Sequence, residues 1–270
     1  MLQALRTIEI ESEELGFFGY VNFEVGVFSL PELPGLQSLK FRSVGRGEVA
    51  GPLLWSSFIR IHPRWNSLTN LEIDWTPFLA ADLEDLIIKS PQLTDLMWRI
   101  RICHDQPDRY FDFGGLGATL RQGKKLKRVD IRLDVQAEPS VSWAISQIRW
   151  GPGGSAETGQ TWGVTERIGS LKALQHLEEL SIPLCALFGW EPPEDGGDVQ
   201  WEDCLPASLR MLHLSQDLSD MKGYLWSNCW PTVRMCRALC AARLLGIAVE
   251  APQRGDHRQC VRDGGWRRAS

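Results

Sequence analysis

One phrase recurs along this 270-residue chain: an apolar residue, two variable ones, a second apolar residue, one variable position and a third apolar residue. It reads LRTIEI at Leu5–Ile10, LQSLKF at Leu36–Phe41, LTNLEI at Leu68–Ile73 and LTDLMW at Leu93–Trp98. It returns as LKRVDI at Leu126–Ile131, LEELSI at Leu177–Ile182 and LRMLHL at Leu209–Leu214. Successive starts lie 31, 32, 25, 33, 51 and 32 residues apart. Self-similarity at such a period constrains a chain strongly, because each copy is a short unit that cannot bury its apolar side alone. The second and third apolar positions are two residues apart, so they share one face of a strand. The first lies at the turn leading in and faces the same way.

Stacking these units buries a continuous core and places the strands side by side. The expected fold class is therefore α/β: an irregular leucine-rich-repeat solenoid of about seven repeats over residues 1–225, with a curved parallel sheet and helices on the convex side. The segments between phrases should return the chain to the next strand. AADLEDLIIKSP (80–91) carries apolar residues at 83, 86 and 87 and a proline stop after Ser90, which predicts a helix. GSLKALQHLEEL (169–180), with Leu171, Leu174 and Leu177, predicts another. Two places break the rhythm. The 51-residue step contains the Gly-rich stretch 149–163, which reads as an insertion loop. Residues 226–250 predict a helix capping the end of the stack, and 251–270, arginine-rich with few apolar residues, a disordered basic tail.

The variable positions within the phrases form a second regularity. They face solvent and would line the concave side of the sheet. The middle row reads Glu9, Lys40, Glu72, Met97, Asp130, and the last row Glu11, Arg42, Asp74, Arg99, Arg132. The first row reads Thr7, Ser38, Asn70, Asp95, Arg128, Glu179. Charge sign alternates in most steps, and neighbouring strands lie about 4.8 Å apart, so ladders of opposite charge are expected. Such ladders keep an inner face soluble and in register. The same ten middle- and last-row residues are the candidate interaction surface, since solenoids commonly bind partners on their concave face.

Composition narrows the function. A net charge of −5 without long single-sign runs argues against nucleic acid as a partner. No apolar run reaches membrane-spanning length, and the N-terminus lacks the pattern of a secretory signal, so no membrane partner is expected. Seven scattered cysteines do not suggest a disulfide framework and point to the cytoplasm or nucleus. Chemistry is hard to find. GSAETGQT (154–161) has the spacing of a phosphate loop, but position 160 is Gln where the loop needs lysine. Cys229, Cys236 and Cys240 lack the spacing of structural zinc, and the five histidines fall in unrelated contexts. No catalytic residue, metal or cofactor is expected, and an enzyme built on the 154–161 loop is the remote alternative.

LQHLEELSIPLCALFG (174–189) followed by CLPASLRMLHLSQDL (204–218) resembles the C-terminal half of fungal F-box/leucine-rich-repeat proteins. There a proline-led L-P-x-S-L-x-x-L-x-L phrase recurs with an acidic-apolar ending such as Asp217–Leu218. The resemblance implies a protein–protein interaction module, the substrate-recognition part of a ubiquitin ligase receptor. In that family an F-box docks on a Skp-type adaptor while the repeats hold the substrate. No F-box phrase precedes the first repeat, so adaptor binding is expected only if a longer form supplies one. A stand-alone repeat scaffold without a ubiquitin link is the alternative.

Overall fold

Seven of the strands that build the sheet begin two residues after the leading apolar residue of a phrase. The computed structural model describes residues 5–12, 34–43, 64–74, 80–103, 110–136, 163–165, 167–188, 204–215 and 246–250. Strands β1 (Thr7–Ser12), β2 (Ser38–Ser43), β3 (Asn70–Asp74), β4 (Asp95–Cys103), β6 (Arg128–Gln136), β8 (Glu179–Pro183) and β9 (Met211–Ser215) each carry the end of one phrase. They join β10 (Ala248–Glu250) in an eight-stranded sheet of order β1-β2-β3-β4-β6-β8-β9-β10. Every pairing is parallel. The chain thus winds as a solenoid, one strand per rung. Two short strands, β5 (Tyr110–Asp112) and β7 (Gly163–Thr165), pair separately in parallel.

The three apolar positions of rungs two to seven form three buried rows. They start at Leu36, Leu39 and Phe41 and end at Leu209, Leu212 and Leu214, and none exceeds 4 % exposure. At about 25 cal/mol per Å² of apolar area, these rows are the main stabilising term of the stack. Both described tryptophans, Trp65 and Trp98, are buried in the same core.

A recurring backbone device joins the rungs. The carbonyl just before each of β1, β2, β3, β4, β6 and β8 accepts two N–H groups from the next rung. Arg6 O takes Gln37 and Ser38, and Gln37 O takes Thr69 and Asn70. Thr69 O takes Thr94 and Asp95, and Thr94 O takes Lys127 and Arg128. Lys127 O takes Glu178 and Glu179, and Glu178 O takes Arg210 and Met211. A carbonyl has two lone pairs, and here both are used. A tight turn precedes the phrase in most rungs: the leading leucines 68, 93, 126, 177 and 209 each donate to the carbonyl three residues back.

Helix α1 (Ala80–Lys89) forms where the 83, 86, 87 spacing predicts it, burying Leu83, Leu86 and Ile87 in the core shared with the strands. Helices α2 (Phe113–Leu120) and α3 (Leu184–Phe188) are additional, and α2 packs against α1. The helix expected over 169–180 is absent. Leu171, Leu174, Leu177 and Leu180 recur every three residues, and on an α-helix such a row drifts about 60° per step, splitting its ends onto opposite faces. The chain instead makes successive turns, Leu174 N–H to Leu171 O and Leu177 N–H to Leu174 O, after Gly169 at φ +71°. This keeps all four leucines buried.

Of the capping helix expected over 226–250, residues 226–245 lie outside the described residues. Its last three residues are β10, whose N–H of Ala248 donates to Arg210 O. The expected loop 149–163 and tail 251–270 lie outside the described residues, except that Gly163 opens β7. Among the described residues no helix is long and apolar enough to cross a membrane.

Candidate interaction surface

The sheet register lines the candidate residues into the rows that the phrases predict. In the middle row Glu9, Lys40, Glu72, Met97 and Asp130 are consecutive partners, followed by Ser181, His213 and Glu250. In the last row Glu11, Arg42, Asp74, Arg99 and Arg132 are consecutive. The strand period of two sends these residues to the face opposite the apolar rows.

Charge is matched locally along this face. Lys40 Nζ sits 2.7 Å from Glu72 Oε2, directly across the β2–β3 pair. Arg42 reaches diagonally to Glu9 at 3.1 Å and contacts Glu72 and Asp74 at 3.9 Å each. Arg99 lies 3.3 Å from Asp74. In the first row Arg128 bridges two rungs, 3.6 Å from Asp95 and 3.3 Å from Glu179. Arg99 and Arg132 are register partners of like charge, and they turn apart: Arg99 to Asp74, Arg132 back along its own strand to both oxygens of Asp130 at 3.1 Å. Most of these groups are partly exposed, so each pair contributes only about 0–1 kcal/mol. Their larger effect is on register, since a slip of one residue would send these charges into the core.

Asp74 is the exception in burial, at 8 % exposure. Burial pushes its carboxyl above the ordinary aspartate range, against the pull of Arg99 and Arg42 and with a push from Glu72. Its Oδ1 is shielded from solvent and accepts no hydrogen bond among the described residues. Desolvation outweighs pairing at this one carboxylate.

A groove of about 580 Å³ runs over the face from β2 to β9. Of the candidates, Lys40, Glu72, Met97, Asp130 and Arg132 line it, whereas Glu9, Arg42, Asp74 and Arg99 are not among its lining residues. Glu11 shares the last row by register. The groove also takes in Ser181, Met211 and His213, which the sequence reading did not place on the surface. Their position in the same rows of rungs six and seven was the signal available. Met211 is 39 % exposed, one of three exposed large apolar residues among the described residues. From β8 onward the groove keeps one charged lining residue, Glu179, and otherwise presents Leu180, Ser181, Met211 and His213. The groove is therefore amphipathic, ion-paired over the early rungs and nearly uncharged over the late ones.

No protein-family model, no curated protein and no solved structure matches this chain.

Proposed function

We propose that this chain is a leucine-rich-repeat module that recognises another protein through the grooved face of its sheet, with helices and coil on the convex side. The observation that carries this reading is the groove itself. It is lined by residues from six strands, mixes ion-paired and apolar ground, and includes Met97, an adaptable apolar side chain where a charge would continue the ladder. A face whose cations are already paired suits a mixed-charge protein better than a phosphate polymer. The phrases at 174–189 and 204–218 support a place in the substrate-recognition part of an F-box-type ubiquitin ligase receptor, in the cytoplasm or nucleus. A Skp-type adaptor would then bind only a form that also carries an F-box.

The test is affinity capture from cell extract with quantitative comparison of wild type, Met97→Glu with Met211→Glu, and Arg42→Glu with Arg99→Glu. A partner lost from the methionine variant supports the groove. Capture unchanged by both variants overturns it. A ubiquitin-ligase subunit among the face-dependent partners separates the receptor reading from the stand-alone scaffold. An enzyme using the 154–161 loop would instead show a thermal shift with nucleotide.

A further inference from the structure

The first rung is a near copy of the third. LRTIEIE (5–11) and LTNLEID (68–74) share leucine in the lead, an aliphatic residue three later, Glu-Ile after it, and a closing acid. Their surroundings differ on one side. The third rung is covered by β2, which sets Lys40 against Glu72 and Arg42 against Asp74 and supplies the Gln37 carbonyl to the N–H groups of Thr69 and Asn70. The equivalent side of β1 has no neighbouring strand among the described residues, because the sheet order begins there. Its core positions show the gap: Leu5 is 38 % exposed where Leu68 is fully buried, and Ile8 is half-buried where Leu71 is at 2 %. The corresponding N–H groups, of Arg6 and Thr7, meet no such carbonyl among the described residues. An edge with an exposed leucine, a half-buried isoleucine and backbone donors that no described carbonyl meets is a template for strand addition.

We propose that the side of β1 that no described strand covers binds a strand of another polypeptide, added in parallel, with the chemistry of β2: apolar side chains on its inward face and two cations, two residues apart, opposite Glu9 and Glu11. The likeness of rungs one and three carries the specification, since the strand that sets cations against Glu72 and Asp74 from this side reads L-K-F-R. A second copy docking through β10 is disfavoured, because Ala248, Val249 and Glu250 would align with Thr7, Ile8 and Glu9 and set Glu250 beside Glu9. This edge is separate from the groove, so the proposal stands whatever the sheet face binds.

The experiment uses the full chain and a fluorescent peptide with the sequence of residues 34–43, PGLQSLKFRS. Anisotropy should show saturable binding, weakened about tenfold or more when the peptide carries Lys40→Glu and Arg42→Glu, a difference of about 1.4 kcal/mol. In the protein, Glu9→Lys with Glu11→Lys should reverse that preference, and Met97→Glu should leave binding unchanged. Hydrogen exchange should slow at the Arg6 and Thr7 amides when the peptide is bound. No saturable binding, equal affinity for both peptides, or binding without protection at Arg6 and Thr7 would each overturn the proposal.

Discussion

The carbonyl oxygen of Ile168 lies 1.8 Å from the place where a Cβ on Gly117 would sit. Helix α2 and the strand-free segment at Ile168 therefore meet backbone to backbone, and only glycine permits it. Gly117→Ala forces one of them to move. Overpacking of this kind costs about 1–3 kcal/mol, despite the gain in helix propensity. A fall in the urea midpoint with unchanged slope is the expected result. A more stable variant would show that α2 does not dock this closely.

Asp74 makes stability depend on pH with a definite sign. Its carboxyl is raised in the folded chain, first by burial, so the folded state holds that proton more tightly than the unfolded state does. The contribution is then fully present below the unfolded aspartate range and is lost as pH rises through the folded value. Asp74→Asn removes the cost of ionisation. At neutral pH the variant should equal or exceed wild type in stability, and the difference should close as pH falls below the ordinary aspartate range. Denaturation curves across pH check it. A variant weaker at neutral pH would mean that Arg99 and Arg42 outweigh burial.

Leu5 and Leu36 occupy the same position of successive rungs but differ in exposure, 38 % against 2 %. Leu36→Ala should cost about 2–5 kcal/mol, as deletion in a packed core does. Leu5→Ala should cost under about 1 kcal/mol, as a surface change does. Chemical denaturation of both variants tests whether the first rung is open in solution.

Arg128 stands between Asp95 and Glu179, with most of its side chain exposed. Arg128→Ala should therefore cost no more than about 1 kcal/mol. Arg128→Glu would line up three acids on adjacent strands and cost more at low salt, and that extra cost should shrink in about 1 M NaCl as screening shortens to about 3 Å. A salt-independent loss would point to packing by the arginine stem instead.

The stacking order and register were legible because the seven phrases repeat three buried positions, and aligning Leu5 with Leu36 and Leu68 aligns everything between them. The sign of the charge ladder followed from that alignment. The direction each arginine takes did not: Arg132 turning to Asp130 depends on Arg99 standing beside it. The eighth strand was hidden because Gly246 occupies the position of Leu209, and Ile247 supplies the buried side chain one residue later. Helix α2 was hidden for a different reason. FGGLGATL is rich in glycine, a poor helix former, and is helical because Phe113, Leu116 and Leu120 share a buried face. In 169–180 a period of three was mistaken for one of 3.6. The groove was partly legible, since its charged lining sits in the rows, but its uncharged half carries no sign pattern to follow.

The paired carbonyls that join the rungs also give the molecule a tensile order. A load applied along the stack passes through every joint in series, and such a chain parts where it is narrowest. Strands β4 and β6 are held over nine residue pairs, but β6 and β8 over three, Arg128–Glu179 to Asp130–Ser181. By the sheet alone two seams are narrowest: β9–β10, also three pairs, which would shed only the last strand, and β6–β8, where the body would tear into an N-terminal block of five strands and a C-terminal block of three.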